Sequence, residues 1–210
     1  MSVLAVLMAL LIEQARPSLP MARLRAIYAQ WLEWTSRNFD AGSARHAAVV
    51  WSLGVLLPSV AVALVDGAFS RFSLLLAFAW HVGVLYLTLG FRQFSHHFTG
   101  IRDALDQGDE MRARSLLARW QEVDASELPR TELLRHVIEY AVLASHRLVF
   151  GVMFWYVLLA ALGFGPAGAV LYRLAHLAVQ HWAQRHPIDA EPLNPNVLSV
   201  AQRLWHLIDY

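Results

Sequence analysis

Polar and apolar residues in this chain separate into long blocks, and the blocks predict helices. Val3–Ile12 is an apolar run that stops at Glu13. It is too short to cross a hydrocarbon layer of about 30 Å on its own and reads as a buried or interfacial helix ending near Pro17. Ala47–Phe69 carries no charge until Asp66, is long enough to span, and is expected to kink at Pro58. Phe72–Phe91 reads as a second span. The short linker Asp66–Arg71 makes the two an antiparallel hairpin. A third apolar block, Leu148–Tyr172, is broken by Gly163-Phe164-Gly165-Pro166, with Gly168 close behind. This pattern predicts a third span to Leu162, a tight turn, and a returning helix from about Pro166 to Gln184, since proline suits a first helical position. The returning helix is less apolar, with Arg173, His176 and His181 within it, so it pairs with other helices or lies partly at the interface.

Between the second and third blocks the pattern turns amphipathic. Ile101, Leu105, Met111, Ala113, Leu116, Leu117 and Trp120 follow helical spacing interrupted at Gln107-Gly108-Asp109. Gly108 fits a helix C-cap and Asp109 an N-cap, so this is a helical hairpin. A further helix is expected to start at Thr131 as N-cap, with Leu133, Leu134, Val137, Ile138 and Ala141 on one face, and to run into the third block. The tail places Pro187, Pro192 and Pro195 in a loop. An amphipathic turn or two follows, with Leu198, Leu204, Trp205, Leu207 and Ile208 on its apolar side. The layout is a single membrane region over 1–210. It has N-terminal interfacial or cytoplasmic helices (1–46), a spanning hairpin (47–91) and a cytoplasmic helical segment (92–147). The third span and returning helix (148–184) and an amphipathic end (185–210) complete it. The fold class is all-α, polytopic.

Composition strengthens this picture. The chain has 210 residues, 57% hydrophobic and 16% charged. Soluble domains carry about 25% charge. No cysteine is present, which excludes disulfides and thiolate metal sites. The 17 basic residues are all arginine and the net charge is +1, so no basic field points to nucleic acid. The N-terminus lacks the basic region and cleavage site of a secretory signal. Arginines cluster before the first span (Arg16, Arg23, Arg25, Arg37, Arg45) and after the second (Arg92 to Arg147), whereas the hairpin tip has Arg71 alone. The positive-inside rule then puts the N-terminus and the 92–147 segment in the cytoplasm of a multi-pass bacterial inner-membrane protein.

Three constellations could carry chemistry. Arg92, His96, Thr99 and Asp103 form one helical stripe, with His97 on an adjacent face and Arg102 nearby. The stripe could hold an ion or a phosphate, or simply meet water where a span emerges. Without HExxH or a histidine pair at i, i+4, no metal is assigned. Glu132, Arg135, His136 and Glu139 can pair along one helix face, and Glu139 and Arg147 sit near the mouth of a span. These residues form a candidate ligand or partner surface. His81 lies beside Trp80 inside the second span, where a histidine is either a functional group or a satisfied structural one. No P-loop, GxGxxG or GxSxG is present, so nucleotide binding has no local support.

The short helix ending in "LIEQ", the spanning hairpin, "ALDQGDEMRARSLLARW" and "FGVMFWYVLLAALGFGPAGAVLYRLAHL" together resemble the CobD/CbiB family of cobalamin-biosynthesis membrane proteins and its AmpE-like relatives. For the cobalamin branch the resemblance implies ATP-dependent amide formation, joining aminopropanol or its phosphate to adenosylcobyric acid. For the AmpE branch it implies signalling linked to cell-wall recycling and β-lactamase induction. It carries over Glu139, Tyr172 and Arg173 as catalytic candidates. The cobalamin branch also shows acids and amides where this chain has Leu143, Ala144, Arg147, His176 and Val179, and an Arg-Asp-Thr element where it reads "VDASEL". Losing those ligands for magnesium and phosphate favours a non-catalytic AmpE-like sensor or regulator, acting in the bilayer with a cytoplasmic or membrane protein partner. The alternatives are a cobinamide(-phosphate) synthase using ATP and Mg, and a structural subunit of a membrane complex. The chain is also short for either branch, which continues to a further span, so truncation near Tyr210 is expected.

Overall fold

The computed structural model describes residues 2–15, 21–89, 91–121, 129–184 and 194–209, and all regular structure among them is helical. These residues form two compact units. The first comprises Met1–Thr88 with Gly151–Tyr210, and the second Leu89–Phe150.

In the first unit, α1 (Ser2–Ala15) and α2 (Met21–Phe39) precede α3 (Ala44–Trp51), which continues through a π-helical turn (Ser52–Leu56) into α4 (Leu57–Phe72). Pro58 explains the turn. It has no N–H to give to the carbonyl four residues back, and the Leu57 N–H bonds instead to the Ser52 carbonyl. The carbonyls of Leu53 and Gly54 are thereby freed, and α2 satisfies both. Trp31 Nε1 donates to Leu53 O at 3.2 Å and the Tyr28 hydroxyl lies 3.2 Å from Gly54 O. Gly54 is small enough to let the Leu32 side chain press against the helix.

The expected linker Asp66–Arg71 is helix instead. The break comes at Ser73 alone, extended at φ −162°, and its hydroxyl accepts from the Leu75 N–H that opens α5 (Leu74–Thr88). This correction moves Asp66 from a wet loop into the packed pair α4–α5. At 15 residues, α5 is shorter than the spanning length read from the sequence. Two helical stretches, Ala44–Phe72 and Thr131–Ala161, are long and apolar enough to cross a membrane, against three spans expected.

The predicted break and return after the third block are present. α9 (Gly151–Ala161) ends in a turn with Gly163 at φ 86° and Gly165 at φ 55°, and α10 (Ala167–Gln184) returns. Both glycines occupy the left-handed region that other residues enter at a cost. α9 and α10 touch through small residues. Gly168 lies against the Trp155 backbone carbonyl, and Gly151 lies against the Tyr172 ring. α10 also packs on α4 and α11. The tail is a full helix, α11 (Pro195–Asp209), with Pro195 as its first residue rather than in a loop. Its buried side is Val197, Ala201 and Trp205, while Leu207 is 76% exposed.

The second unit contains α6 (Phe91–Asp106), α7 (Glu110–Gln121) and α8 (Arg130–Ser145) with a further π-helical turn, His146–Phe150. The hairpin cap forms as expected. Gly108 takes φ 75°, the Asp109 N–H reaches back to Ala104 O at 2.9 Å, and Asp109 Oδ1 accepts from the Arg112 N–H at 3.0 Å. Pro129, not Thr131, precedes the first residue of α8. The core is Ile101, Ala104, Ala113, Leu117, Leu133 and Val137. The buried stripe of α8 is narrower than its hydropathy pattern, because Leu134, Ile138 and Met111 of α7 are exposed. Trp120 lies outside the residues whose side chains are described.

Candidate functional site

Polar groups gather inside the first unit in two places. The first joins α4, α5 and α9. Asp66 Oδ1 lies 2.9 Å from His81 Nε2, and His81 Nδ1 lies 2.9 Å from the Tyr156 hydroxyl. The Asp66–His81 contact has ion-pair distance without hydrogen-bond geometry, whereas His81 Nδ1 and the Tyr156 hydroxyl share a hydrogen bond whose direction depends on the His81 tautomer. The Asp66 side chain presses on Gly165, where a Cβ would overlap it. Tyr156 is fully buried, and the contacts Asp66–His81 and His81–Tyr156 tie three helices together. His81 therefore has both a carboxylate and a phenol beside it. The sequence did hold the signal. Asp66 and His81 are polar breaks in otherwise apolar runs, roughly mirrored about Ser73. Tyr156 gave no such signal, being one aromatic among many in its block.

The second place is the face of α10 toward α11. The Tyr172 hydroxyl donates to Asp209 Oδ1 at 2.6 Å, and Trp155 Nε1 donates to Ile208 O at 2.8 Å. The Trp205 ring meets Tyr172 and stacks on His176, each at a centroid distance of 5.0 Å. Arg173 and His176 are buried, as is Glu13 of α1. Glu13 and Arg25 both lie within electrostatic reach of the Arg173 guanidinium. A guanidinium stays protonated, so Arg173 places a fixed positive charge in this buried region. Further along α10, His181 Nε2 lies 3.0 Å from Glu33 Oε1 of α2. The arrangement offers a fixed buried cation, an acid held by a phenol, and aromatic walls. Asp209 escaped sequence reading, and Trp205 was read only as part of an apolar face, because their helix was read as only a turn or two.

Tyr172 and Arg173, neighbours in sequence, are both buried on α10, whereas Glu139 belongs to the other unit. Glu139 is exposed on α8, with its Oε1 2.8 Å from Arg135 Nε, the i, i+4 pair that the spacing allows. Glu132 and His136 are exposed on the same helix, and Arg147 is half-buried in the His146–Phe150 turn. Asp103 bonds its neighbour Arg102 at 2.9 Å, and that contact raises the guanidinium further above its ordinary range. The side chains of Arg92, His96 and His97 lie outside the described residues. Among the described residues no group of three or more His, Asp or Glu could hold a metal ion.

An all-helical chain with this glycine turn and buried Tyr-Arg pair belongs to a known class. The profile of the CobD/Cbib protein family matches residues 2–179, so the chain belongs to the CobD/CbiB family. A cobalamin biosynthesis protein CobD of Chromobacterium violaceum is 33% identical over 105 residues, 50% of this chain and 32% of that relative. A protein of the same name from Stutzerimonas stutzeri strain A1501 is 28% identical over 156 residues, 71% of this chain and 48% of that relative. The matched regions thus span at most about half the length of these relatives. No solved structure matches the chain. These matches overturn the reading of the chain as a non-catalytic AmpE-like regulator, since both relatives bear the cobalamin name. The substitutions at Leu143, Ala144 and Val179 had argued the other way from a few positions, whereas the family match draws on most of the chain.

Proposed function

We propose that this chain acts in cobalamin biosynthesis as a membrane-embedded enzyme of the adenosylcobinamide(-phosphate) synthase type. The reaction would join the amine of aminopropanol, or of its phosphate, to a carboxyl group of adenosylcobyric acid at the expense of ATP. The observation that carries this reading is the buried Tyr172–Asp209 and Arg173 cluster, which lies on the family's matching Tyr-Arg pair. A buried, fixed cation can hold an anionic substrate group and stabilise negative charge developing in acyl transfer. Aromatic walls at Trp205 exclude water from such a site. ATP and magnesium are the co-substrates that the family implies.

The two long apolar helices support a membrane location. The arginine distribution supports an inner-membrane orientation with the N-terminus and Gly108 in the cytoplasm. A reporter fused at Gly108 should therefore read as cytoplasmic, and a periplasmic signal would refute the orientation.

The function is tested by placing the gene in a strain lacking its cobinamide-forming synthase and supplying cobyric acid. Cobalamin-dependent growth is expected to return. No growth from a stably inserted protein would contradict the assignment.

A further inference from the structure

The candidate site is closed. Tyr172 is 1% exposed, and Arg173 and His176 are buried beside it on α10. α11 covers this face. Its Trp205 ring lies against the rings of Tyr172 and His176, and Asp209 Oδ1 accepts from the Tyr172 hydroxyl at 2.6 Å. One residue earlier, the Ile208 carbonyl accepts from Trp155 Nε1 at 2.8 Å. A substrate group that is to meet the Tyr172 hydroxyl has to displace Asp209. α9 and α10 cannot part to admit it without a backbone shift, because Gly168 lies against the Trp155 carbonyl. The last turn of α11 is held by exchangeable contacts instead, a phenol on a carboxylate and an indole on a carbonyl. The other end of α11 is fastened elsewhere, with Asn194 Nδ2 donating to Asp40 Oδ1 at 2.9 Å and Asn196 Nδ2 to Gly42 O at 3.4 Å.

We propose that the last turn of α11 is a strap over the site, and that the Asp209 carboxylate is an internal competitor for a carboxylate of the substrate. A phenol hydroxyl has one proton to donate, so it serves Asp209 or an incoming acceptor, not both. At 2.6 Å the bond has the short length of a charge-assisted one. A neutral oxygen would replace it at a loss, whereas a second carboxylate replaces it like for like. Arg173 adds a fixed positive charge to the same buried region, which also favours an anion. A strap that has to lift weakens the apparent affinity by the fraction of molecules in which it is open, so the wild type binds its substrate less tightly than the bare site does. The inference rests on the reading of Tyr172 and Arg173 as the site of the proposed reaction, whose carboxylate substrate is adenosylcobyric acid.

The test uses the full chain purified in dodecyl maltoside and calorimetric titration with adenosylcobyric acid, with aminopropanol phosphate as the comparison ligand. Asp209→Ala and Trp155→Phe each loosen the strap, the first at the carboxylate and the second at the Ile208 carbonyl. Asp209→Ala is expected to bind adenosylcobyric acid about tenfold more tightly than the wild type, the scale of one charge-assisted hydrogen bond. Trp155→Phe leaves Tyr172 and Asp209 in place and should tighten binding by a smaller factor. It reports on the strap even where Asp209→Ala does not fold. In a Tyr172→Phe background, Asp209→Ala should tighten nothing, because the shared donor is gone. Equal or weaker binding of adenosylcobyric acid by folded Asp209→Ala or folded Trp155→Phe overturns the strap. Tightening of aminopropanol phosphate to the same degree or more overturns the match to a carboxylate. Absence of binding by every folded variant and by the wild type removes the substrate site itself. Unchanged affinities with amide synthesis intact remove the strap and leave the synthase reading standing.

Discussion

The two units handle charge in opposite ways. The first places Asp66, His81, Glu13 and Arg173 among packed helices, and the buried side chains around them are largely Ala, Gly, Val and aromatic. Among the described residues the second has an apolar core cluster and puts the ion pairs Arg102–Asp103, Glu110–Arg114 and Arg135–Glu139 on or near the surface. Surface pairs add little, because water screens them and two long side chains must be held still. Buried polar groups must be matched or they destabilise, so their presence marks where a fold accepts a cost for geometry or chemistry. The difference supports placing the proposed site in the first unit.

Glycine substitutions separate the units most sharply. A Cβ at Gly168 would overlap the Trp155 backbone carbonyl, which cannot swing aside. Gly168→Ala is expected to force α9 from α10 and to cost more than about 4 kcal/mol, leaving little folded protein by thermal unfolding in detergent. Gly100→Ala in the second unit would meet nothing nearer than Leu116 at 3.8 Å. It should be neutral or stabilise by up to about 1 kcal/mol, through helix propensity. Equal melting temperatures for the two variants would erase the contrast.

The buried relay comes next. Asp66→Ala leaves His81 and Tyr156 without their carboxylate and should cost about 3 kcal/mol. Tyr156→Phe removes the hydrogen bond to His81 and should cost about 1 kcal/mol. Denaturant titration of both variants checks the order. A larger loss for Tyr156→Phe would mean that Asp66 and His81 do not form the working pair. The smallest effect belongs to the second unit's surface. Arg114→Ala breaks an i, i+4 pair with Glu110 and should shift stability by no more than about 0.5 kcal/mol, within the error of most melts.

The sequence revealed the second unit more fully than the first. Gly108-Asp109 is a local instruction: one residue supplies the left-handed cap and the next the acceptor for the following helix, and both act as read. The turn at Gly163–Pro166 was legible for the same reason. The first unit is organised by contacts far apart in sequence. Tyr172 reaches Asp209, Tyr28 reaches Leu174, and Trp31 and Tyr28 fill acceptors that a proline frees in another helix. No periodicity encodes such pairings. The hairpin turn was misplaced because Asp66 and Arg71 look like loop residues, yet Asp66 is helical and matched across the gap by His81. Arg173 was legible as a motif position, but its burial was not.

The central claim is that the buried polar cluster of the first unit performs amide synthesis, with Arg173 at its heart. Purified protein supplied with adenosylcobyric acid, aminopropanol phosphate, ATP and magnesium tests it directly, with product read by chromatography. Wild type and Arg114→Ala are expected to form the amide at similar rates, and folded Arg173→Gln to be slower by about a hundredfold. Undiminished synthesis by Arg173→Gln, or no synthesis by folded wild type, would contradict the account.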